Sequence, residues 1–168
     1  DLLDSNLRNS FGSIVNSGLI ATASATPLKI DVSSGSYIYS THLHNLNSMN
    51  DITMLTFYRN GSGGFTLGTS SVVEAKYDDN SGTLQTPTTG NYVKHNLYEV
   101  YDIITSSPIF LLVYGQVQFS SLAEAQVGSS TATPSFITTD AFTIGGVIVQ
   151  YNLVGGDNDI YRQDIANE

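Results

Sequence analysis

Five consecutive apolar residues, IFLLV at positions 109–113, constrain this chain more than any other stretch. Alternate side chains of a strand point to opposite faces, so an unbroken apolar run must be covered on both sides. Residues 109–113 are therefore expected at the centre of a sheet, reached through a turn at Pro108. After the run Gly115 interrupts, and Val117 and Phe119 then alternate with Gln116, Gln118 and Ser120, as on a strand with one wet face. Ser121 stands three residues before Glu124, the spacing of a helix capping box, and Ala123 and Ala125 are good helix formers. One short helix is expected there.

The rest of the chain is read as short strands punctuated by turns. Residues 13–23 are small and β-branched, with a turn at Gly18. Leu28, Ile30 and Val32 alternate with Lys29, Asp31 and Ser33, and residues 37–43 follow a Ser/Gly turn as one strand rich in β-formers. Residues 45–50 read as a loop. Residues 52–59 (ITMLTFYR) are apolar on both faces, with Ile52, Met54 and Tyr58 on one side and Leu55 and Phe57 on the other, a second candidate for a central strand. NGSGG at 60–64 is a hairpin signal, because Asn and Gly accept positive φ cheaply. Residues 65–77 return as one or two strands, DDNSG at 78–82 turns again, and 83–90 is a polar connection. Residues 128–140, rich in Ser and Thr, read as a surface loop, and 142–151 as a last strand whose Gly145 and Gly146 mark a bulge or the close approach of another backbone. About nine strands and one helix make an all-β fold, an antiparallel β-sandwich or jelly roll. Residues 1–12 read as an arm or leader from a preceding region, residues 13–168 as one β-sandwich domain. An Asp at position 1 reads as a trimmed product with further sequence upstream.

Only 12% of the residues are charged against 40% hydrophobic, so Ser, Thr, Asn, Gln and Gly must supply most of the surface. Such surfaces suit packed assemblies and extracellular particles. A net charge of -9 repels phosphate backbones, which argues against nucleic acid as a partner. With no cysteine, disulfides and thiolate metal sites are excluded. No apolar run reaches the ~20 residues of a membrane span, so no membrane insertion is expected.

Residues 92–126 carry a family resemblance. An aromatic-rich strand, an apolar strand ending in V-Y-G-Q, an aromatic a few residues on and then S-L-A-E-A-Q resemble a C-terminal β-rich segment of structural proteins of tailed phages. FTIGGVIVQY at 142–151 is similar to that family's next strand, and GLIATASATPLKIDV at 18–32 resembles its opening. The block 113–126 is the distinctive part, and the chain departs from the family where it closes soon after Gly155, Gly156, Asp157, Asn158 and Asp159 instead of in a longer acidic turn. The resemblance implies a non-enzymatic virion protein of the tail, fibre or neck. Strands apolar on both faces are expected to need more cover than one small domain supplies, so the expected partners are sister copies in a homotrimer, other virion proteins and, for a fibre tip, a host-surface glycan or receptor bound by the loops 45–50, 60–64, 78–82 and 128–140. The alternative is a carbohydrate-binding module of a secreted protein, using tyrosines on a sheet face.

The residues suited to chemistry each have a plainer role. His42 and His44 would share a strand face, and on a three-fold axis three chains would surround one octahedral metal, an arrangement similar to metal sites in some phage fibres and spikes. Two histidines near a loop are more often surface or hydrogen-bonding residues. Asp78, Asp79, Asn80 and Gly82, and separately Asp157, Asn158 and Asp159, space oxygen ligands like calcium loops but lack the remaining EF-hand ligands, so Asx turns are expected. Glu74 and Glu99 are the two acids well inside predicted strands; a glycosidase would need them across a cleft, and solvent-facing positions are expected instead. Asn60, Gly61 and Ser62 form a glycosylation sequon, and Gly61 to Gly64 lack the ending of a phosphate loop. Neither a nucleophile elbow nor a Cys nucleophile is present. Tyr37 and Tyr39 share one strand face, as do Tyr92 and Tyr98, and core packing is preferred to sugar stacking. No catalytic residue, cofactor or bound metal is therefore assigned.

Overall fold

The alternating and doubly apolar segments become strands, and the polar Gly- and Asn-rich segments the turns between them. The computed structural model describes residues 13–39, 42–102, 107–128, 132–152 and 160–162. In chain order the strands are β1 Ser13–Gly18, β2 Ala21–Ala23, β3 Ile30–Val32, β4 Gly35–Tyr39, β5 His42–Leu46, β6 Met54–Arg59, β7 Phe65–Ser70, β8 Tyr77–Asp78, β9 Leu84–Gln85, β10 Tyr92–Asp102, β11 Ser107–Val113, β12 Gln118–Phe119, β13 Phe142–Gln150 and β14 Ile160–Arg162. Two short helices, α1 Leu122–Val127 and α2 Ser135–Asp140, complete the described residues.

A seven-stranded sheet in the order β14-β13-β10-β11-β6-β7, with β12 beside β10, forms one layer, and a three-stranded sheet β1-β4-β5 the other. The fold is all-β and sandwich-like. Between the layers lies the main core, with Tyr37 from the small sheet and Met54, Leu97, Phe110, Leu112, Phe142, Ile144, Val147 and Val149 from the large one. Loop and strand residues Leu19, Ile30, Val32, Ile52 and Val73 close its margin. Residues 109–113 do lie at the sheet's centre: β11 pairs with β10 on one side and β6 on the other. Leu111 and Val113 face a second cluster with Phe57, Tyr98 and Ile137, while Phe110 and Leu112 face the main core. The two-sided reading of residues 52–59 also holds, since Met54 and Tyr58 pack in the main core and Leu55 and Phe57 in the second cluster.

Several expectations need correction. The pairing is antiparallel except between β6 and β11, which run parallel, a pairing open to them because the long stretch from β7 to β10 separates them in sequence. Residues 37–43 do not form one strand: β4 and β5 are a hairpin whose register pairs Tyr37 with His44, and β5 continues to Leu46, into the expected loop. The expected loop at 128–140 contains α2, because Ile137 and the second cluster offer an apolar seat that the polar composition conceals. The doubly apolar run needs no second copy, since Phe110, Leu111, Leu112 and Val113 are all buried within one chain. Residues 1–12 and the motif Asp157, Asn158, Asp159 lie outside the described residues.

Candidate functional site

The polar groups suited to chemistry converge on β10. Its residues 93, 95, 97 and 99 share one face, that of Leu97 in the main core, and Val93, His95, Leu97 and Glu99 are each 0% exposed. Sequence reasoning expected Glu99 in solvent, and that expectation fails. Glu99 and His95 share a face with Val93 and Leu97, but Tyr92, Tyr98 and Val100 make the other face comparably apolar, so alternation alone does not mark the inner one. Glu74 is displaced too; it lies outside the strands, half-exposed and 2.8 Å from Lys76 Nζ. The two acids do not face each other across a cleft as a glycosidase pair.

Glu99 sits in a row of apolar partners, beside Phe142 on β13 and Phe110 on β11. Neither carboxyl oxygen has a hydrogen-bond partner, nor does the buried Oη of Tyr37, the residue above it. Burial pushes the Glu99 carboxyl up to about 8 and raises the Tyr37 phenol far above its ordinary value, the Glu99 charge adding to the latter. The Tyr37 ring lies 5.0 Å from Phe142, 5.9 Å from Tyr101 and 5.2 Å from His44, which in turn lies 4.3 Å from Tyr101. His44 is thus stacked among aromatic rings, and burial, then the charge of His42, lower its pKa. His42 and His44 do share a face of β5, the side that carries the His44 ring onto Tyr37. Among the described residues no group of three or more His, Cys, Asp or Glu side chains is placed to hold a metal ion.

His95 is held by an interruption in the neighbouring strand. Between Val113, paired with Asn96, and Gln118, paired with Val93, residues 114–117 bow outward against only Lys94 and His95. In that bow Gly115 N–H donates to His95 Nδ1 at 2.9 Å, and the Tyr114 ring meets the imidazole edge-on at 5.0 Å. Nδ1 accepts, so the neutral ring carries its proton on Nε2, which completes no hydrogen bond. Burial pushes the imidazole down to about 4, against a smaller opposite pull from the Glu74 carbonyl. A Cβ on Gly115 would stand 2.2 Å from the Lys94 carbonyl oxygen, so only glycine fits the bow.

The turn residues take their plainer roles. Asp78 is buried and accepts from Arg59 N–H and Arg59 Nε at 2.9 and 3.0 Å and from Asn80 N–H at 2.8 Å. Asp79 accepts from Ser81 N–H and Asn60 Oδ1 from Ser62 N–H, both as Asx turns, and Asn60 Oδ1 also accepts from Gly64 N–H across the hairpin turn. Of the tyrosines with described side chains, Tyr37, Tyr98 and Tyr114 are buried and Tyr39, Tyr58, Tyr77, Tyr92, Tyr101 and Tyr151 half-buried.

The expected capping box is formed. Ser121 Oγ accepts from Glu124 N–H at 3.2 Å, while the Glu124 carboxylate reaches back one residue further, to Ser120 N–H and Oγ at 3.0 and 2.8 Å. Among the described residues no helix is long and apolar enough to cross a membrane. No family model, curated protein or solved structure matches the chain.

Proposed function

We propose that this chain is a structural protein of a virus particle, a component of the tail, fibre or neck of a tailed phage, working by association with sister copies as a trimer and without catalysis. The observation that carries the reading is an apolar patch left outside a finished sandwich. Leu67 on the edge strand β7 and Phe136 on α2 are 61% and 54% exposed, and both adjoin Phe57: Leu67 is its register partner, and the Phe136 ring lies 5.4 Å away. Leu55 and Phe65 lie beside them, half-buried. Apolar groups gathered on a surface otherwise short of charge favour burial against another protein. The resemblance of residues 113–126 supplies the virion assignment, and the loops 60–64 and 78–82 are its candidates for contact with a host receptor.

Measurement of the native mass in solution tests the association. A stable trimer is expected. A stable monomer that binds immobilised glycans would overturn the reading in favour of a carbohydrate-binding module, and a monomer without such binding would overturn the association alone.

A further inference from the structure

Glu99 is a buried acid in an apolar row, Phe142–Glu99–Phe110–Met54, that crosses the large sheet through paired registers. The strands of that row are tied together by backbone hydrogen bonds. The cover over it is not: β4 and β5 belong to a separate sheet that rests on the large one, and among the described residues no strand pairing joins the two. Tyr37 of that cover packs on Phe142, the register partner of Glu99, and is fully buried and without a hydrogen bond at its Oη. The other titratable groups on this side are Tyr39 on β4, His42 and His44 on β5 and Tyr101 and His95 on β10. From β6, β11 and β13 the row receives only Met54, Phe110 and Phe142. No hydrogen bond or ion pair from any of them reaches the carboxyl.

We propose that Glu99 makes the seating of the β4–β5 hairpin on the large sheet depend on pH: over the neutral carboxyl the hairpin stays closed, and loss of the proton to water lifts it so that the carboxylate becomes hydrated. An ionised carboxylate without partners in an apolar layer is far costlier than a neutral one, and it is relieved by admitting water or a counter-charge. The element that yields belongs to the small sheet, whose strands pair with one another and, among the described residues, not with the large sheet. His44 and Tyr101, whose rings lie beside Tyr37, are half-buried and so reach solvent. The carboxyl's raised value of about 8 places the change in the neutral to mildly alkaline range. Because the closed form holds the proton more tightly, it is favoured fully in acid, and its excess over the open form falls about tenfold per pH unit until the carboxyl's own value is passed.

Hydrogen–deuterium exchange of the intact protein between about pH 5.5 and 9, corrected for the intrinsic rate, tests this. Protection of residues 35–46 should fall up to about tenfold per pH unit while that of residues 54–70 holds, and Glu99→Gln should abolish the fall. Equal falls in both segments, or a fall unchanged by Glu99→Gln, would overturn the proposal. Should that variant fail to fold, the 13C carboxyl resonance of Glu99 in the unaltered protein decides: a midpoint tracking the loss of protection supports the switch, and one in the ordinary carboxylate range rejects it.

Discussion

A carboxyl and an imidazole, both fully buried on one face of β10, give this protein a pH dependence whose sign follows from their opposite shifts. Glu99 is raised from 4.5 to about 8, so its contribution to stability is complete below 4.5 and is lost as pH climbs through about 8. His95 is lowered from 6.5 to about 4, so its contribution is present above 6.5 and is lost as pH falls through about 4. Between 4.5 and 6.5 these two slopes oppose each other, with the lowered His44 adding to the rise; above 6.5 the glutamate acts alone of the three. At ~1.4 kcal/mol per pH unit, urea unfolding should show a loss of about 2 kcal/mol between pH 6.5 and 8. Glu99→Leu should remove that loss; a slope that survives the substitution would assign it to another group.

At the scale of single elements, stability rests on two local devices that the amino-acid pattern displays. The bow at residues 114–117 needs a glycine because a backbone carbonyl occupies the place of a side chain. Gly115→Ala should therefore cost about 2 kcal/mol or more, read as a lowered denaturation midpoint at constant slope. Ser121→Ala removes one end of the capping box and should cost about 1 kcal/mol. Its effect is expected to be confined to exchange protection in α1, with β10 and β13 unaffected. The capping box was legible in sequence because its partners are three residues apart. The helix α2 was not, for its seat on Phe57 and Leu111 comes from strands distant in the chain.

For the whole molecule, the sandwich buries its central strands with its own layers and still leaves an apolar patch at Leu67, Phe57 and Phe136. If association uses that patch, the double substitution of Leu67→Lys and Phe136→Glu should return a monomer by native mass spectrometry, with unchanged far-ultraviolet circular dichroism. Both side chains are more than half exposed, so the monomer's own stability should change by less than about 0.5 kcal/mol. The edge position of β7 strengthens the expectation. Its six residues, FTLGTS, include no charge and no proline, the usual devices that keep a sheet edge from pairing.

The sequence by itself determined the strand-rich class, the central place of residues 109–113, the two faces of residues 52–59 and the start of α1, because each is a pattern of period two or a contact within one turn. Tertiary structure alone decided that β4 and β5 fold back as a hairpin, that β6 and β11 run parallel, and that Glu99 and His95 are buried. A run of residues specifies which side chains alternate. Which of its two faces meets the core, and what lies opposite, depends on strands from elsewhere in the chain, and that is where an acid expected in water became an acid beneath Tyr37.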